Sequence, residues 1–255
     1  MKRILPAFAF IIVVLAAWEG FVKLFHVPEY LLPTPGMILQ QLAATKTLLL
    51  AYLSVTALES ALGFGLGTFF GMLLAVAFVH SRTLEMGVYP YAIALKTVPI
   101  VAIAPLLVVW FGNGILPKIV VSAIISFFPV VVNTTKGLRN VDPEAFDLFD
   151  SMSASRRQVF FKLRVPSSLP YLFAALRISS TLAVIGAIVG EFSGADQGLG
   201  FFIVISSQRL ETVDMFVGIL LSSLLGIAFF YSITIVELMV IPWGKGRIIE
   251  IGRAH

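Results

Sequence analysis

The sequence predicts an all-α membrane protein of about six transmembrane helices, and three observations carry that prediction. Of 255 residues, 58% are hydrophobic and 13% charged, with a mean hydropathy of +0.98. Soluble domains run near one-quarter charged. Several apolar runs reach the roughly twenty residues needed to cross a bilayer core. The longest polar interval, residues 136–166, lies between two such runs. The chain reads as a single transmembrane domain, 1–255, embedded in lipid. Lys and Arg exceed Asp and Glu by 18 to 14. In a membrane chain this excess is loop charge and implies no nucleic-acid partner. There is no Cys, which excludes disulfide and thiolate chemistry. His26, His80 and His255 are scattered, with no metal-ligand spacing.

Lys2 and Arg3 precede an apolar run from Ile4 to about Phe25. A signal peptide begins similarly, but its apolar core is shorter and ends at a small-residue cleavage site. Trp18-Glu19 stands where that site would fall, so this run reads as an uncleaved first span. Residues 27–47 contain Pro28, Pro33, Pro35 and Gly36, then a short amphipathic segment at 37–44, and form an external loop with a surface helix. The second span lies within 48–79. Gly63, Gly67 and Gly71 stand four apart there, a spacing that lets helix backbones approach. The partner is either a neighbour within the chain or a second copy.

The third span, about 86–111, contains Lys96, Pro99 and Pro105. Proline removes a backbone donor and bends a helix, and a broken helix at membrane depth must be buried in protein or line a cavity. These three residues are therefore candidates for a translocation path, although Lys96 also fits snorkelling to the headgroups. The fourth span, 115–133, delivers the polar interval. The fifth, 169–189, holds Arg177, which either snorkels or pairs with an acid. A second external loop, 191–212, carries Glu191, a further path candidate at the outer membrane edge. It also carries the glycine-rich string GADQGLG, which lacks the preceding strand and the Lys-Ser/Thr of a phosphate loop. The sixth span, about 215–241, ends at Pro242-Trp243. Glu19, Glu59, Glu191 and Glu237 all read as lying near span ends. With both termini cytoplasmic, Lys and Arg divide twelve inside to four outside, the four being Lys23, Lys46, Lys118 and Arg209.

The polar interval, a cytoplasmic loop of about 136–168, reads as a helix–turn–helix finger. Asp142 caps, Pro143 fits the first helical position, and Glu144 meets the positive helix end. Phe146, Phe149 and Met152 follow at helical spacing. Ser153-Ala154-Ser155 breaks the helix, and Ser155 with Gln158 forms a capping box for a second one. That helix carries Arg156, Arg157, Lys162 and Arg164 and should end near Val165, ahead of Pro166. Such a finger is too polar for lipid and too apolar to stand alone in water.

The interval resembles the cytoplasmic loop of ABC-importer permeases, E-A-A-x3-G-x9-I-x-L-P. The pattern falls on Asp147-Leu148-Phe149, then Ser153, then Leu163-x-Val165-Pro166. The spacing matches throughout, while Asp replaces Glu, Leu-Phe replaces Ala-Ala, and Ser replaces Gly. LLPTPGMIL, KTVPIVAIAPLLVVWFG and VGEFSGADQGLGF resemble segments of the nitrate/sulfonate/taurine branch of these permeases. The resemblance runs from about Leu31 to Trp243.

It implies the type I ABC-importer permease fold in a bacterial cytoplasmic (inner) membrane. It also implies a homodimer with a second permease copy, a cytoplasmic ATPase dimer and a periplasmic or lipid-anchored solute-binding protein. The chain itself would be no enzyme and bind no cofactor, with ATP and Mg on the ATPase. Phe146, Phe149 and Met152 would anchor the finger in an ATPase groove, with Asp147 and Arg156 as polar contacts. If the turn needs positive φ, Ser153 bears strain there; otherwise the turn differs from the family's. Solutes of that branch include nitrate, sulfonates, taurine and vitamin precursors. Two other readings are an ion-gradient-driven secondary transporter or channel, and a membrane-embedded enzyme. The sequence offers neither a convincing inverted repeat for the first nor a catalytic cluster at mid-membrane depth for the second.

Overall fold

The computed structural model describes residues 4–241, and every regular element among them is helical. In chain order these are α1 (Ile4–Leu24), α2 (Pro35–Ala44), α3 (Lys46–His80), α4 (Arg82–Thr97), α5 (Ile100–Phe111), α6 (Ile115–Arg139), α7 (Pro143–Ser151) and α8 (Arg156–Val159). A π-helical stretch (Phe160–Arg164) leads into α9 (Val165–Phe192), followed by α10 (Leu199–Gln208) and α11 (Thr212–Val240). Four rods are long and apolar enough to cross a membrane: α3, α6, the continuous 156–192 rod and α11. The terminal basic residues Lys2, Arg3, Lys245, Arg247 and Arg253, and Pro242-Trp243, lie outside the described residues.

The centre of the molecule is α6, held between α3 and α9. Membrane helices gain nothing by moving apolar surface from lipid to protein, so close backbone approach and small polar groups hold them together. Gly63, Gly67 and Gly71 of α3 lie against Ser122, Ser126 and Val130 of α6, with no room for a Cβ at the first two. The spacing read from sequence thus serves a neighbour within the chain. Gly186 and Gly190 of α9 press on the backbone of Ser122 and Lys118 from the other side. The Ser122 hydroxyl donates to the Ala183 carbonyl at 2.9 Å, and Ser179 donates to the Ser126 carbonyl at 2.7 Å. Phe78, Leu49 and Leu199 are buried, while many other large apolar side chains point outward, among them Phe69, Phe70, Trp110 and Met239.

Three expectations change. The finger's second helix does not stop before Pro166. It continues through the π-helical stretch into α9, where Pro166 sits in the first turn. The wider turn, in which the Val165 N–H donates back to the Phe160 carbonyl, lets the rod run into a residue with no N–H to give. The 191–212 segment is not simply a loop: Glu191 still belongs to α9, and α10 follows the glycine-rich turn. Glu59 is not near a helix end but well inside α3 and buried.

Candidate functional site

The finger forms as its caps dictate. The Asp142 side chain accepts from the Glu144 N–H at 3.0 Å, and Pro143 opens α7. The helix closes on Ser153 at φ +52°, with its N–H on the Asp150 carbonyl and that of Ala154 on the Phe149 carbonyl. This closing motif favours glycine at the left-handed position, so Ser153 bears the strain the sequence raised. Across the turn, Ser155 and Gln158 complete the capping box: the Gln158 side chain accepts from the Ser155 N–H (2.7 Å) and the Ser155 hydroxyl from the Gln158 N–H (3.3 Å).

Residues 146–157 are thereby gathered on one projecting element. Phe146, Asp147, Met152, Ser155, Arg156 and Arg157 are exposed, Met152 to 71%, while Phe149 and Ala154 are half-buried. Leu148 and Phe161 join the exposed apolar surface. Leu148 escaped the helical-spacing argument because it lies off the Phe146–Phe149 stripe. The Arg164 guanidinium lies 5.9 Å from the Phe146 ring centroid, tying the finger's two arms together. Pro166, half-buried, marks the finger's return to the bundle. The root is clasped between α6 and α9. A Cβ on Gly137 would collide with Tyr171 and Ser168, and the Asn140 side chain donates to the Tyr171 hydroxyl.

The region predicted as a third span is two helices, α4 and α5, separated at Val98-Pro99. The break falls at Pro99, whereas Pro105 stays inside α5 and both prolines are exposed. Lys96 lies on α4, with its side chain outside the described residues.

Glu191 sits at the opposite end of α9 from the finger, 2% exposed. It packs against α3 and α10 rather than beside Pro99 or Pro105. Its Oε1 accepts from the Thr56 hydroxyl at 2.6 Å, and its other oxygen accepts from the Gly200 N–H. Thr56 in turn accepts from the Leu199 N–H at 2.8 Å. A carboxyl group and a hydroxyl from other helices thus satisfy the first N–H groups of α10, which have no partner within their own helix. The glycine-rich string now has its reason. Gly198 takes φ +105°, and a Cβ at Gly198 or Gly200 would strike the Glu191 side chain. Lys118, also 2% exposed, donates to the carbonyls of Asn113 (2.8 Å), Gly114 (3.0 Å) and Gly194 (3.0 Å), joining the two turns at this end. Arg177 pairs with Glu237 of α11. The sequence offered both partners of each polar contact but no means of matching them.

The sequence profile of the binding-protein-dependent transport system inner membrane component matches residues 67–241. The chain is 36% identical over 237 residues to the formylaminopyrimidine transport permease protein of Halalkalibacterium halodurans, covering 92% of this chain and 94% of that one. It is 31% identical to the riboflavin transport system permease protein of Chloroflexus aurantiacus, covering 91% and 88%. Against the aliphatic sulfonates transport permease protein of Bacillus subtilis it is 30% identical, covering 91% and 84%. Among solved structures it resembles a chain of the MetNI methionine ABC transporter in inward-facing form. The TM-score is 0.59 at 17% identity, covering 76% of this chain and 98% of that one, a likeness of fold. This chain belongs to the binding-protein-dependent transport system inner membrane components, and is a multi-pass permease subunit of an ABC importer rather than an enzyme.

Proposed function

We propose that the finger is the coupling element of this importer and docks in a groove of a cytoplasmic ATPase dimer. The observation that carries the reading is the finger's build. Two well-capped helix starts, α7 and the α8 turn that runs through the π-helical stretch into α9, hold Phe146, Leu148, Met152 and Phe161 exposed beside Asp147, Arg156 and Arg157. Apolar surface of this kind, rimmed by charge and fixed in shape, fits a protein groove. ATP binding closes the ATPases and moves the fingers, and the spans pass from inward- to outward-open; hydrolysis resets them. Moving a two-state equilibrium from 1:99 to 99:1 takes roughly 5.5 kcal/mol of differential binding, within reach of two fingers with apolar anchors.

The finger end is then cytoplasmic, as are both termini, in a six-span subunit of a bacterial inner membrane. The subunit pairs with a second copy, and nucleotide and Mg bind on the ATPase. The end of the bundle that holds buried Glu191, with α2 and the turns joined by Lys118, faces an external solute-binding protein. The path runs beside α4 and α5, where Lys96, Pro99 and Pro105 stand, and Glu191 supports its outer end through α10. The solute is small and polar. The formylaminopyrimidine and riboflavin names borne by relatives above 30% identity favour a heteroaromatic vitamin precursor; the sulfonate relative supplies the second candidate class.

The test is gentle purification of the tagged chain from its native membrane. Recovery of an ATPase, lost on charge reversal of Arg156 and Arg157, is the expected outcome. A clean homo-oligomer without ATPase, from membranes where transport is intact, would overturn the finger's role.

A further inference from the structure

The finger's root is fixed to α6 and α9, yet the element with the break is α4–α5. α5 packs on α6 through Ala104, Leu107 and Val121, and α4 is held to α6 separately, at the finger end. Arg139 is the last residue of α6, immediately before the finger begins. Its guanidinium meets Glu85 of α4 in a fork, Nη1 to Oε1 at 2.7 Å and Nη2 to Oε2 at 2.6 Å. Nη2 also donates to the Phe78 carbonyl, at 3.1 Å, near the end of α3. A forked guanidinium–carboxylate pair fixes orientation as well as distance. Among the described residues, Glu85 makes the only side-chain hydrogen bonds between α4 and another helix. Other contacts here are aromatic: Phe78 meets Tyr89 edge-on, and His80 meets Phe160 of the finger arm at 4.9 Å. Apolar contacts of this kind tolerate sliding, whereas the fork does not.

We propose that Arg139 and Glu85 form the latch that makes the finger and α4 move as one body. Arg139 is then a positioning residue for transport, carrying displacement of the finger to the broken α4–α5 unit. This rests on the reading of the finger as the ATPase-coupling element.

The chain has no Cys, so a single introduced thiol reports cleanly. Thr97→Cys places it at the end of α4, beside the break, where Thr97 is exposed. The complex with its co-purified ATPase is labelled with a membrane-impermeant maleimide, with and without ATP plus vanadate. In the parent, the labelling rate is expected to change severalfold with nucleotide. In Glu85→Gln and Arg139→Gln that change should vanish while ATPase activity and co-purification persist. The charge exchange Glu85→Arg with Arg139→Glu should restore at least part of it, which a merely misfolded single variant could not predict. Parent-like nucleotide response in both single variants, a charge exchange no better than either, or a parent that hydrolyses ATP without any change at position 97 would each overturn the latch. Failure of any ATPase to co-purify would instead remove the coupling reading beneath it.

Discussion

The α3–α6–α9 core and the α4–α5 unit are built on opposite principles. In the core, glycines and serines bring backbones into contact, and hydroxyls on one helix bond carbonyls on the next. The α4–α5 unit is shorter, broken at Pro99 and largely exposed, and its described polar tie to another helix is Glu85 with Arg139. Packed cores resist continuous deformation, so displacement is expected where packing is sparse. The contrast assigns the core, with the finger rooted in it and α4 tied to it through Arg139, the part of a frame, and the Val98-Pro99 break that of a hinge.

Overfilling the core is the strongest way to break the contrast. Gly67→Leu has no space between α3 and Ser126, and should cost about 1–3 kcal/mol or more. Gly65→Leu, with nothing near its Cβ site, should stay within about 0.5 kcal/mol. Thermal unfolding of the two in detergent separates them, and equal losses would sink the frame assignment. At the far end of α9, Glu191→Ala strands the buried Gly200 N–H and leaves the Thr56 hydroxyl only the Tyr52 carbonyl of its own helix to donate to. The expected loss is about 1–3 kcal/mol, with protease nicking appearing first around α10.

The finger should behave differently from both. Met152→Asp with Leu148→Asp removes exposed anchors without touching the bundle. Unfolding should be unchanged, while ATPase co-purification falls on the order of 30-fold, the effect of losing about 2 kcal/mol at a binding hot spot. Ser153→Gly relieves a left-handed serine and should stabilise by up to about 1 kcal/mol, the gain reduced by glycine's freedom in the unfolded chain. Hydrogen exchange across 143–159 would register it, and faster exchange there would contradict the strain reading.

The smallest effect concerns the latch. The Arg139 hydrogen bond holds the Glu85 carboxyl below the ordinary carboxylate range. Its contribution is therefore complete at neutral pH and lost as pH falls through that lowered value. The pair is partly exposed, so on the order of 0.5–1 kcal/mol separates wild type from Glu85→Gln at pH 7. The two should converge in acid; a gap that widens there would refute the assignment.

Much of this was legible along the chain. Hydropathy alone placed the long spans, because crossing a bilayer demands long unbroken apolar runs. Asp142, Pro143, Ser155 and Gln158 announced the finger's two helix starts, because a cap is satisfied within three residues of itself. Positive φ at Ser153 was one of two alternatives left open by the family's Gly at that position, and the structure chose it. The tertiary structure decided the rest. Thr56 and Glu191 are 135 residues apart and Arg177 and Glu237 are 60 apart, and no local rule pairs them. Helices apolar on every side carry no stripe to say which face packs inward, so only the assembled bundle shows Gly63 against Ser122 and Gly65 against open space. The π-helical passage into Pro166 and the α10 helix within a glycine-rich segment likewise depend on neighbours. A hydrogen-bond partner or a backbone contact is chosen by approach in space, and sequence distance does not encode it.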